Sequence, residues 1–170
     1  TPIKRRDIAL GKVLAITVIG LLIAASSAIG IFSGLPGIMQ GSVDINVYGP
    51  VEYVLLALVI LSTTLVIVAL ITVVSTLAKS VKEATMFLTP LMIVVMLVGI
   101  LGMFGGGAKE DLWFYLVPLY NSVQCMIGIF SFDFQPLNVA VCVIANLAYA
   151  GVGVLALQRM FDSERLMFAR

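Results

Sequence analysis

The feature that most constrains this chain is a short charged island, Ala78-Lys79-Ser80-Val81-Lys82-Glu83-Ala84, set between two long apolar runs. Upstream, no charge occurs between Glu52 and Lys79; downstream, none occurs between Glu83 and Lys109. Each run exceeds the roughly 20 apolar residues that carry a helix across a ~30 Å hydrocarbon core. So short an island cannot keep Lys79 and Lys82 in lipid, so it must reach water. The two runs therefore form a transmembrane hairpin, and the lysines assign its tip to the cytoplasm.

Composition agrees. The chain is 61% hydrophobic and 11% charged, with a mean hydropathy of +1.15. These values exclude an ordinary soluble domain. The net charge of +1 gives no general attraction for nucleic acid. The chain opens on Thr1-Pro2 without an initiator Met, which is the expectation for a C-terminal fragment. Its basic start resembles a secretory signal, but the apolar run from Ile8 to Phe32 is longer than a signal core and reads as a retained span.

The hydropathy pattern predicts an all-α integral membrane fold with four transmembrane helices, about 9–32, 53–77, 84–104 and 136–160. Before the last span, residues 112–132 are apolar yet broken by Pro118, and too short to cross. They predict a short helical pair, either re-entrant into the outer leaflet or interfacial. Asn121-Ser122 is placed as the cap of its second helix. Nine of the ten Lys and Arg fall on one side of this topology, Lys109 alone on the other. Both ends are then cytoplasmic, in a multi-pass protein of the cell membrane.

Each span carries one distinctive face. Thr17, Gly20, Ala24, Ser27 and Ala28 form a small-residue face in the first, suited to close helix packing. Thr64, Val68, Thr72, Ser75 and Thr76 line one face of the second; their hydroxyls either bond within the bundle or line a weakly polar path. Pro90 predicts a kink in the third, near a face of Met92, Met96, Met103 and Gly99. Asn138, Cys142, Asn146, Ala150 and Gly153 share a face of the fourth. Asn146, the most polar side chain deep in any span, should bond another helix. Thr64, Thr72, Ser75 and Asn146 are thus the candidates for a path or for helix packing.

No span holds an ionisable residue near its middle, histidine is absent, and Cys125 and Cys142 fit no metal spacing. Gly11-Lys12 lacks the rest of a phosphate loop. No catalytic, cofactor-binding or metal-ligating set is present. Any energy for transport should come from another subunit.

At this point the motifs resemble a family. Thr1-Pro2, Arg6 and Gly11-Lys12 resemble the segment after the coupling helix in permeases of type-2 ABC exporters, closest to the sodium-exporter-like branch. Ser75–Ala84 followed by Pro90 is similar to that family's cytoplasmic turn. Pro118-Leu-Tyr-Asn121 is similar to its outer segment before the last span, and Phe161–Phe168 to its C-terminal end. The resemblance implies the last four spans of a six-span permease, working as a homo- or heterodimer on ABC ATP-binding subunits that hydrolyse ATP in its place. It would export, with sodium the cargo of the namesake branch, and need no cofactor of its own. Lys4, Arg5, Arg6, Lys12, Lys79, Lys82 and Glu83 are the candidates for contacting the ATP-binding subunit. The alternative expectation is a non-transporting membrane scaffold or assembly subunit.

Overall fold

In a computed structural model, residues 11, 14–26, 29–30, 48–78, 80–104, 108–109 and 111–162 are described. Among them the fold is entirely helical: α1 (Leu14–Ser26), α2 (Pro50–Leu77), α3 (Val81–Met103), a 3₁₀ turn (Leu112–Tyr115), α4 (Tyr120–Phe130) and α5 (Pro136–Asp162). Three helices are long and apolar enough to cross a membrane: Pro50–Leu77, Val81–Gly102 and Pro136–Met160. The expected first span, 9–32, lies partly outside the described residues; its described core, α1, is shorter than a full crossing.

Local chemistry sets the helix ends. Pro50 opens α2 with Gly49 as its cap, three residues before the start expected from the charge at Glu52. Proline at the first helical position gives up an N–H that would have no partner, and Glu52 in the first turn suits the positive end of the helix dipole. At the charged island, Ser80 caps α3 by accepting from the Glu83 amide at 3.2 Å. Ser80-Val-Lys-Glu83 is thus a capping sequence. The hairpin link therefore narrows to Ala78–Ser80, and Val81–Ala84 belong to the first turn of α3. The helix runs on through Pro90.

Packing centres on α2 and α5, which lie against each other with α4 inserted beside both. They come close at Gly153, where a Cβ would stand 2.8 Å from Ala69 Cβ. The core gathers Leu56 and Val59 of α2, Tyr115, Cys125 and Ile129 of the intervening segment, and Val139 and Cys142 of α5. On the other side, Gly20 of α1 abuts Val68 and Thr64. Thr17, Gly20 and Ala24 are half-buried, whereas Leu14, Val18, Ile19, Leu22 and Ile23 are exposed or nearly so. Ser27 and Ala28 lie outside the described residues.

The segment before α5 forms a hairpin of its own. α4 runs antiparallel to the first half of α2: Tyr48, just ahead of α2, donates to the Phe130 carbonyl at 3.1 Å, while Thr63, midway along α2, meets Ser122. The hairpin's turn, Val117–Leu119, reaches the middle of α5, whose central residue Tyr149 donates to the Leu116 carbonyl at 2.7 Å. At the opposite end, Tyr48 stacks on Phe132 at 4.9 Å and meets Phe130 edge-on at 5.9 Å.

Candidate functional site

Midway along α2 and in the first half of α5, three helices bring together polar side chains that are buried or, at Thr63, half-buried. Ser62 and Thr63 come from α2, Asn121 and Ser122 from α4, Cys142 and Asn146 from α5. Asn146, 1% exposed, accepts from Asn121 Nδ2 at 2.9 Å through Oδ1. Its Nδ2 faces Ser62 Oγ at 3.2 Å, Ser122 Oγ at 3.1 Å and Cys142 Sγ at 3.8 Å. Asn121 Oδ1 accepts from the Ser122 amide at 2.7 Å and from Ser122 Oγ at 3.1 Å. Thr63 Oγ1 shares its proton between the Val59 carbonyl, 2.6 Å away, and Ser122 Oγ, 2.7 Å away.

This geometry corrects one expectation. Asn121-Ser122 do not sit ahead of the second short helix as its cap. Leu119 occupies the cap position, and the two polar residues fall in the first turn, directed at Asn146. The reason is their burial: both are fully enclosed, and a buried amide without partners would cost more than a surface cap contributes.

A second polar tie lies nearer the open end of the hairpin, away from its turn. Gln124, fully buried, accepts from the Lys109 amide at 3.0 Å and donates to the Gly102 carbonyl at 3.2 Å. Tyr115 donates to the Lys109 carbonyl at 2.9 Å. One side chain of α4 thus fastens both the end of α3 and the stretch that follows it. Asn138 Oδ1, buried in the first turn of α5, has no hydrogen-bond partner among the described residues.

The turn Val117–Leu119 carries one of the two positive-φ residues other than glycine among the described residues, the other being Phe132. Leu119 has φ 68° and ψ −43°, a region that side-chain-bearing residues rarely adopt. It reverses the chain at the head of α4, where a helix leaves N–H groups without intrahelical partners. Pro118 removes one donor from that turn. Beneath it lies a cavity of about 310 Å³ between α2 and α5.

The remaining expected residues divide clearly. Thr64 and Thr72 bond back to Ile60 and Val68 carbonyls at 2.8 and 2.7 Å, and Thr72 is fully buried. Ser75 is half-buried in the same helix. None of these three joins the Asn146 network. Lys82 is exposed and Glu83 half-buried at the opposite end of α3 from Gly102. Lys4, Arg5, Arg6, Lys12 and Lys79 lie outside the described residues. Ser62, Thr63, Asn121 and Ser122 of the network, and Gln124 of the second tie, are the residues whose interhelical role sequence reasoning missed. Their signal is faint, because serine and threonine in apolar helices ordinarily bond to their own backbone.

Chemically, the network is made of amides, hydroxyls and the one thiol of Cys142, with no carboxylate, imidazole or amine among them. It fixes the relative positions of α2, α4 and α5. Among the described residues, no group of three His, Cys, Asp or Glu side chains converges on a point. No family model, curated protein or solved structure matches the chain.

Proposed function

We propose that the chain is the membrane-spanning permease component of an ATP-driven ABC exporter, with ATP hydrolysis in a separate ATP-binding subunit. In this reading α1 is the core of a first span, so the chain crosses the cell membrane four times. The segment 112–132 is a re-entrant pair, and both ends face the cytoplasm. The single observation that most supports it is the depth of the Val117–Leu119 turn, beside Tyr149 at the centre of α5 and next to Val66–Val73 of α2. Non-helical backbone at such a depth is tolerated only against protein or a water-filled space. A re-entrant pair before the last span is also what the resemblance to type-2 ABC exporter permeases implies. The order of the sequence motifs supports the same family, and the sodium branch rests on those motifs alone.

The site assignments follow. Asn146 holds helices together through its bonds to α2 and α4, whereas the hydroxyls of Thr64 and Thr72 are spent on carbonyls of their own helix. The ATP-binding subunit docks on Lys82 and Glu83 at the head of α3, together with Lys79 and the basic run Lys4, Arg5, Arg6 and Lys12. A second permease copy completes the path.

Reconstitution tests this. The full-length protein is placed in liposomes with its ATP-binding subunit, and hydrolysis is compared with and without the permease. Permease-dependent hydrolysis, lost on combining Lys79→Glu with Lys82→Glu while the helical content stays unchanged, is the expected result. A folded permease that binds no such subunit overturns the proposal.

A further inference from the structure

The cavity beneath the hairpin turn is walled by Val66, Ala69 and Val73 of α2, roofed by Pro118 and Leu119, and closed by Gly153 and Ala156 of α5. Four properties converge on its occupant. First, the cavity flanks the centre of α5, so in a bilayer it lies at hydrocarbon depth. Second, the one side-chain hydroxyl in its wall, that of Tyr149, is already bonded to Leu116. Water there would lack the two to four partners it requires. Third, Leu70, Tyr149 and Val152 at its rim are exposed, so the cavity opens sideways, toward lipid. Fourth, Leu119 is held at a positive φ directly above the space. A strained residue persists only where its surroundings over-determine it. An acyl chain lying against the turn would supply such contact, with dispersion attraction along the apolar wall.

We propose that the cavity seats the distal part of one phospholipid acyl chain, which packs under the Val117–Leu119 turn and holds it in place. The inference requires that α2 and α5 cross a bilayer and does not depend on ATP-driven transport.

The test uses the full-length protein in phosphatidylcholine nanodiscs doped with two photoactivatable phospholipids. One carries a diazirine near the end of an acyl chain, the other near the ester. After irradiation, adducts are mapped by mass spectrometry. The chain-end probe is expected to label Leu119, Val152 and Ala156, and the ester-proximal probe to miss them. Met92 and Met96, exposed on α3, serve as the reference for bulk lipid. Filling the space with Ala156→Phe, or with Val73→Phe should the first variant fail to fold, is expected to abolish adducts on Leu119 while the α3 adducts remain. Labelling of α3 without labelling of the cavity overturns the proposal. So does equal labelling of Leu119 in the filled variant, or cross-linking of these residues to a second copy of the chain instead of lipid.

Discussion

α3 and α5 are both long apolar helices, yet they relate to the rest of the chain in opposite ways. α5 buries Asn138, Val139, Cys142, Ala145, Asn146 and Leu157 against α2 and α4. In α3, every residue from Val81 to Leu101 is half-buried or exposed, and Gly102 at its end is buried. The difference lies in polar side chains. Asn146 gives α5 a contact that neither lipid nor another apolar helix can replace. The hydroxyls of α3, on Thr85 and Thr89, bond back to their own helix at the Val81 and Thr85 carbonyls. In hydrocarbon, apolar area alone draws no two helices together, because lipid is as apolar as leucine. The unit of α2, α4 and α5 therefore has internal reasons to hold, while α3 is tethered at its two ends and presents its flank outward.

Breaking that unit has the largest expected effect. Asn146→Leu removes the acceptor of Asn121 and the donor to Ser62 and Ser122, leaving several buried groups without partners. The expected loss is about 2–3 kcal/mol, above the usual single interhelical bond because more than one group is stranded. Thermal unfolding in detergent micelles measures it. A double-mutant cycle with Asn121→Ala should show coupling, since the two side chains bond directly. Additive effects would mean that the network does not hold the unit together.

Gly153 and Gly102 sharpen the same comparison by sterics. A Cβ at Gly153 would stand 2.8 Å from Ala69 Cβ, an atom fixed to backbone, so Gly153→Ala should push α2 and α5 apart at a cost of roughly 1–3 kcal/mol. Ala69→Gly in the same chain should restore most of that stability. A Cβ at Gly102 would meet Val123 Cγ1 at 2.6 Å, so Gly102→Ala strains only the junction of α3 with α4. The two alanine variants compared by unfolding should rank Gly153 as the more damaging. The reverse ranking would place the packing centre at α3.

The hairpin between α2 and α3 was legible because lysine in lipid is expensive, which leaves few places for Lys79 and Lys82. The start of α2 was less so. Glu52 looked like the boundary, although an acid in the first turn after Pro50 favours the helix. Asn146 stood out for the same reason as the lysines: a polar group in an apolar run needs a partner. Its partners did not stand out. Ser62 lies 84 residues away and Ser122 lies 24 away, and neither periodicity nor composition encodes that meeting. Asn121-Ser122 carried a capping signal that burial overrode. The positive φ of Leu119 had no signature either, since such turns usually take glycine or asparagine.

Gln124 is where the two regions join, so its loss should loosen α3 without unfolding the rest. Gln124→Leu leaves the Lys109 amide and the Gly102 carbonyl without the amide side chain that ties them, a cost of about 1–2 kcal/mol. Hydrogen exchange at Lys109 should accelerate, while exchange along α5 stays unchanged. Equal acceleration in both would show α3 and the inner unit to be one cooperative block.

The smallest effect belongs to the cap at the other end of α3. Ser80 Oγ accepts from the Glu83 amide at an exposed position, so Ser80→Ala should cost about 0.5–1 kcal/mol. Because α3 has few buried contacts to compensate, the loss should appear as fraying of its first turn, read by faster exchange of the Glu83 and Ala84 amides. An aspartate at this position would accept the same bond and add a favourable charge at the positive end of the helix, so Ser80→Asp should restore protection. The hairpin link itself, Ala78–Ser80, is short enough that fraying at Val81 lengthens the tether rather than releasing the helix. If Ser80→Ala instead destabilised the whole molecule as much as Asn146→Leu, the contrast between a self-sufficient inner unit and an outward-facing α3 would be wrong: the tether, and not the buried amides, would be holding the helices together.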